Sequence, residues 1–256
     1  MSSVSGRLVI VGTGIQLGRD LSSRTEQEIR SADLVFAATD EFALAWLKTV
    51  RPDLVDLTAF YGDGKDRRKT YAEMVERVLA SLDKGARLCA AFYGHPGVFA
   101  QVSHELIQRA RAMGHQALML PGVSADACLY ADLGLDPGDW GVQMFEATQF
   151  LVYQRQVDPT SLLILWQIGL CGDLTGRRFT TSPERLAMLT EKLQQWYLPT
   201  TPITLYEASW LGIAPHRADR LLLNELPGAA LREYTTLVIP PPARPTPDHP
   251  MRQRLI

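Results

Sequence analysis

The sequence predicts an α/β protein built from two domains, and three observations carry that reading. Up to Leu120, apolar β-branched runs alternate with glycine turns and helix-patterned segments, as parallel strand–helix units do. The length, 256 residues, suits one large domain or two small ones at about 150 residues per domain. Apolar residues make up 46% of the chain, enough for a packed core, so disorder is excluded as the dominant state.

The elements follow in order. Leu8-Val9-Ile10-Val11 is a continuous apolar run, as in a strand buried on both faces, and Gly12-Thr13-Gly14 breaks it. Thr25-Glu26-Gln27-Glu28 has the spacing of a capping box and places a helix cap at Thr25. Asp33 to Ala38 is the second strand. Thr70 to Lys84 reads as a helix, because Met74, Val75, Val78, Leu79 and Leu82 share one face and Gly85 ends it. A strand from Ala86 to Phe92 runs into Tyr93-Gly94-His95-Pro96-Gly97. A helix from Val102 to Met113 stops at Gly114, and a short strand from Ala117 to Leu120 enters Pro121-Gly122-Val123-Ser124.

Beyond that point the alternation loosens. Leu162 to Trp166 is a strand. Ser182-Pro183-Glu184 opens a helix whose buried face is Leu186, Leu189, Leu193 and Trp196. Ile203–Tyr206 and Thr235–Ile239 are the last strands. The expected domains are residues 1–121 and 122–242, followed by a proline-rich tail, 243–256, expected to be extended or poorly ordered. No internal repeat is present.

Charge and composition exclude several classes. Lys and Arg number 26 against 28 Asp and Glu, a net charge of −2, so the basic excess of a duplex-DNA binder is missing. Apolar runs such as Leu162 to Trp166 fall far short of the roughly 20 residues that span a membrane. The first residues lack signal-peptide architecture, and a cytoplasmic location is expected. Cys89, Cys128 and Cys171 have no CxxC spacing and the five histidines are scattered, so neither a disulfide framework nor a metal site is expected.

Four segments carry chemistry. Gly12-Thr13-Gly14-Ile15-Gln16-Leu17-Gly18 is one residue too long for a dinucleotide fingerprint. Asp40 also lies 28 residues after Gly12, where the fingerprint wants an acid at about 20. The turn is either a tight strand-to-helix connection or a ligand contact, and dinucleotide-dependent oxidoreduction is disfavoured. Tyr93 to Phe99 is a stiff loop at the carboxyl end of a buried strand, where open α/β folds bind ligands. His95 is a general base or a backbone-bonding residue, and no nearby acid orients it, which favours the second. Ser124 suits a helix cap, a hydroxyl turned toward the same ligand, or both. Phe60 to Tyr71 mixes tyrosines with Lys and Arg around two glycines. It reads as a solvated basic loop, or as an arrangement in which Arg67 lies beside Tyr61 or Tyr71 and lowers a phenol pKa.

Together GTG, YGHPGVF, the YGDGK…TY loop and LPGVSADACLYADLGLDPGDWGVQMFEATQFL resemble the tetrapyrrole methylase superfamily. More narrowly they resemble borosins, S-adenosylmethionine-dependent enzymes that α-N-methylate peptide backbone amides. The resemblance runs from Leu8 to about Arg244. It implies a two-domain class III methyltransferase architecture with the cofactor folded into the cleft between the domains, and a homodimer. It implies catalytic roles for Tyr61, Arg67 and Tyr71. It implies cofactor contacts from Gly12, Gly14, Tyr93, His95, Gly97, Val98, Ser124, Ala125, Gln167, Tyr206, Ala208, Thr235 and Thr236. Thr58 stands where the usual family loop has an aromatic. The chain ends at Ile256, soon after the catalytic domain, so a split form is expected that acts on a separate precursor peptide, two precursors per dimer.

The mechanism expected from this resemblance needs no metal. One tyrosine contacts the amide as a base, while Arg67 lowers its pKa and stabilises the developing imidate oxygen. Two rival readings remain: a methyltransferase for a corrin precursor or another small molecule, and a non-catalytic peptide-binding scaffold.

Overall fold

The computed structural model describes residues 5–82 and 85–256. It divides into two units, Met1–Cys128 with Ala208–Pro215, and Leu129–Glu207 with His216–Ile256. The first unit carries five parallel strands, β1 (Arg7–Gly12), β2 (Leu34–Ala38), β3 (Val55–Asp56), β4 (Arg87–Phe92) and β5 (Gln116–Met119), in the order β3-β2-β4-β1-β5. Its helices are α1 (Ser23–Ser31), α2 (Glu41–Val50), α3 (Arg67–Leu82) and α4 (Gln101–Ala112), with a 3-10 turn at Leu57–Phe60; α5 (Ala125–Leu133) follows β5.

The continuous apolar runs are buried on both faces, as read from the sequence. On one face Leu8, Ile10 and Phe36 pack with Met74, Val78 and Leu106 from α3 and α4. On the other, Val9, Val11, Val35 and Cys89 pack with Ile29 of α1 and Leu47 of α2. A strand covered on both sides has no polar face to show, which is why alternation is missing from its sequence.

Several boundaries differ from the sequence reading. The cap of α1 is Ser22, whose hydroxyl accepts from the Thr25 N–H, and not Thr25 itself. Glu28, expected to close a capping box, instead pairs with Arg7 and Arg24. Helix α3 begins one turn early, at Arg67, and the expected end at Lys84 lies outside the described residues. Asp40 caps α2, accepting from the Phe42 and Ala43 N–H groups.

The second unit holds β6 (Val142–Glu146), β7 (Leu162–Trp166), β8 (Pro202–Glu207), β9 (Arg217–Leu222) and β10 (Thr236–Ile239) in the order β6-β7-β10-β8-β9. Only β6 and β7 pair in parallel; the other neighbours are antiparallel. Its further helices are α6 (Pro137–Trp140), α7 (Ala147–Val152) and α8 (Pro183–Leu193). Its core includes Leu163, Leu165, Phe150, Leu189, Leu193 and Leu237, with Trp196 beyond the end of α8 packed partly against it. The proline-rich tail is not wholly extended. Asp248 caps a short helix, α9 (His249–Gln253), whose early Pro250 fits a first turn that needs no N–H there.

Candidate active site

In the first unit β1 is flanked by β4 and β5, so three glycine turns leave three neighbouring parallel strands at the same edge. The chain turns back across β1 between β4 and β5, making this the switch point where open α/β sheets place ligands. Gly14 and Gly94 exchange backbone hydrogen bonds, with N–H to oxygen distances of 3.3 and 3.0 Å. A Cβ on Gly12 would lie 2.2 Å from the Gly94 oxygen and 3.2 Å from Gly122 Cα. These glycines therefore serve close packing of three backbones against one another.

His95 takes the backbone role. Its Nδ1 accepts from the Gly97 N–H at 2.9 Å, fixing the loop, while His104 Nε2 bonds the Gly97 oxygen. The same loop exposes apolar surface: Tyr93 and Val98 are each 43% exposed and Phe99 55%. Phe99 also has a positive φ of 51°, rare for an aromatic residue. Ser124, immediately before α5, donates to the Asp126 carboxylate, and Ala125 is half-buried beside it.

Sequence reasoning missed Asp20. Its carboxylate accepts from the Ile15 and Gln16 N–H groups at 3.1 and 2.8 Å and pairs with Arg19. This closes the glycine turn, and the Arg19 and backbone bonds hold the carboxyl below its usual range although burial opposes them. Its sequence signal was an acid just beyond a glycine turn whose N–H groups need acceptors.

The structure brings Tyr61, Arg67 and Tyr71 near one another. Tyr61 follows the 3-10 turn, and Tyr71 lies on α3 with Arg67 at that helix's start. The two rings meet edge to face, with centroids 6.4 Å apart. The electrostatics differ from the expectation. Burial raises the Tyr61 phenol well above its ordinary value, and the charge and hydrogen bond of Tyr71 raise it further; Arg67 pulls the other way and does not prevail. The residue as a whole is 42% exposed. Thr58 spends its hydroxyl on Asp56, next to the 3-10 turn.

In the second unit Gln167, just after β7, has left-handed backbone angles of 57° and 41°, a strained state for a non-glycine residue. Tyr206 donates its hydroxyl to Asp132 at 2.7 Å. Thr235 donates to the buried Glu207 at 2.6 Å, and Arg217 and Arg232 neutralise the same carboxylate. Both hydroxyls are thus engaged within the unit. Thr236 is buried on β10, and Ala208, half-buried, is grouped with the first unit.

Residues 7–211 match the family model for tetrapyrrole (corrin/porphyrin) methylases. The chain belongs to the tetrapyrrole methylase family. Among solved structures, uroporphyrin-III-C-methyltransferase of Thermus thermophilus superposes with a TM-score of 0.63 at 19% identity, covering 92% of each chain, a likeness of fold. Curated relatives sharpen the likeness toward borosins. The chain is 37% identical over 249 residues to the methyltransferase/ribosomally synthesized cyclic peptide dendrothelin A precursor of Dendrothele bispora, a match spanning 93% of this chain and 58% of that protein. It is 36% identical over 249 residues to the corresponding omphalotin A precursor of Omphalotus olearius, spanning 94% and 59%. It is also 37% identical over 244 residues to a type III borosin cyclic peptide precursor of Anomoporia bombycina. This tetrapyrrole methylase therefore spans less than two thirds of the curated relatives it matches.

Proposed function

We propose that this chain is an S-adenosylmethionine-dependent methyltransferase acting on backbone amide nitrogens of a ribosomal precursor peptide, supplied as a separate molecule. The observation that carries the reading is the Tyr61–Tyr71 pair, with Arg67 close enough to act on the Tyr61 phenol, in the same unit as the glycine-turn edge.

The residues fit the cofactor. A Cβ on Gly94 would meet only Ile15 Cδ1 at 3.4 Å and the Val123 oxygen at 4.0 Å, so the loop leaves room beside its backbone. Tyr93 and Val98 offer exposed apolar surface for an adenosine beside it. When bound, S-adenosylmethionine supplies an electrophilic methyl carbon.

An amide nitrogen is a poor nucleophile, because its lone pair is delocalised into the carbonyl. With its phenol pushed up, Tyr61 keeps its proton at neutral pH. It therefore serves as a donor, with the Arg67 guanidinium, to the substrate carbonyl oxygen where charge develops as the N–H proton leaves. Tyr71, edge to face with Tyr61, is the second side chain we place against the amide. The peptide enters extended, since its own hydrogen bonds would hide the N–H.

The test is mass spectrometry of candidate precursor peptides mixed with the protein and S-adenosylmethionine. Methyl increments located by fragmentation on backbone amides are expected. Tyr61→Phe and Arg67→Lys should slow the transfer about a hundredfold while cofactor affinity holds. Unmodified peptides together with methylation of a corrin precursor would overturn the peptide reading.

A further inference from the structure

Tyr61 stands on a loop and Tyr71 on a helix, so something must set the distance between them. The Phe60 carbonyl, one residue before Tyr61, accepts from Lys65 Nζ at 2.7 Å and from Thr70 Oγ1 at 3.4 Å. Lys65 in turn forms an ion pair with Glu73, two residues beyond Tyr71 on α3. Thr70 is 1% exposed and directly precedes Tyr71. The turn beneath closes with the Lys65 N–H on the Gly62 oxygen, and the Lys65 stem lies against Gly62. Both side-chain ties to the Phe60 carbonyl therefore lead to the turn of α3 that carries Tyr71.

We propose that Lys65 is a positioning residue, which with Glu73 and Thr70 clamps the Phe60 carbonyl to α3 and so holds Tyr61 against Tyr71. The inference rests on the catalytic reading of the tyrosine pair. The chemistry suits the task. An ammonium bridging a carbonyl and a carboxylate makes charge-assisted bonds, stronger than neutral ones. The Lys65 side chain is 28% exposed and its partner Glu73 46%. A hydroxyl from a buried threonine adds a second donor with little freedom to rotate away. The loop from Tyr61 to Gly64 has four consecutive exposed residues.

The first readout needs no substrate. In the full-length protein carrying isotope-labelled tyrosine, the Tyr61 resonance is assigned with Tyr61→Phe and its ionisation followed by NMR. Lys65→Met, which keeps the stem and removes the charge, should let Tyr61 ionise at lower pH, toward the ordinary value of about 10. Lys65→Arg should restore much of the wild-type titration, and Thr70→Val should move it in the same direction as Lys65→Met. Melting temperature and affinity for S-adenosylmethionine should hold. If Lys65→Met does not fold, Glu73→Gln releases the ammonium from half-exposed surface and serves instead. On a peptide shown to be methylated, the turnover number should fall about tenfold or more with KM little changed, as small misplacements of reacting groups do. An unmoved Tyr61 titration in both Lys65→Met and Glu73→Gln would overturn the clamp. Full activity in Tyr61→Phe would instead overturn the catalytic reading, and the titration would still judge the clamp.

Discussion

A missing methyl group decides the conformation at Gly12. An alanine there would put its Cβ 2.2 Å from the Gly94 oxygen, and neither backbone can retreat without opening the sheet edge. Gly18 offers a contrast: it has a positive φ of 83° and nothing within 4 Å of an added Cβ. The prediction is a separation of mechanisms. Gly12→Ala should cost about 3 kcal/mol or more through overpacking, whereas Gly18→Ala should cost about 1 kcal/mol through left-handed backbone alone. Urea unfolding of the two variants measures both. Equal costs would mean that the close approach of the three turns is not what Gly12 supplies. Phe99 and Gln167 hold the same kind of backbone without being glycine, and their strain persists only where surrounding bonds enforce it. For Gln167 one such bond is the Ile168 N–H on the Thr235 oxygen.

Among the elements, those with a buried stripe were legible and those without one were not. Strands β1, β4 and β7 announce themselves because both faces are covered and the run is wholly apolar. The edge strand β9, Arg-Ala-Asp-Arg-Leu-Leu, is mostly exposed, so its sequence carries no apolar pattern and only the register against β8 reveals it. Helix α2 was hidden for another reason. Asp40 is misplaced for the acid of a dinucleotide fingerprint, and its carboxylate satisfies two N–H groups at the start of α2. The α1 cap slipped three residues because both Ser22 and Thr25 are good capping types, and only the chain's approach chooses between them. For the site, the residue types of the tyrosine loop were legible. The direction of the Tyr61 shift was not, because it depends on how the 3-10 turn delivers the loop onto α3. Asp40→Ala should cost about 1 kcal/mol in chemical denaturation. It should leave S-adenosylmethionine affinity unchanged, since Asp40 serves the helix; a loss of affinity without a loss of stability would return Asp40 to the ligand.

Across the whole molecule, Cys89 in the first unit and Cys171 in the second sit within hydrophobic cores, and this makes the protein's response to alkali calculable. Cys89 is 1% exposed on β4 and Cys171 is fully buried beyond β7. Burial pushes both thiols up, each from 9.0 to about 12, with a nearby carboxylate adding to the effect. In the second unit burial also takes the Tyr197 phenol to about 12. The sign follows from proton counting. Below pH 9 both folded and unfolded chains hold these protons and stability is at its full value. Above pH 9 the unfolded chain releases them while the native chain keeps them, so stability falls as pH rises toward the folded values. The slope approaches about 1.4 kcal/mol per pH unit for each thiol. Urea unfolding across about pH 8 to 11 should therefore show a steepening loss. Cys89→Ala should lower stability at neutral pH through its small cavity and flatten the alkaline loss of the first unit. Cys171→Ala should do the same for the second. Because the two thiols lie in separate cores, the two effects should add within a few tenths of a kcal/mol. A wild-type slope retained in the double variant would assign the alkaline loss to other groups and remove the thiols from the account.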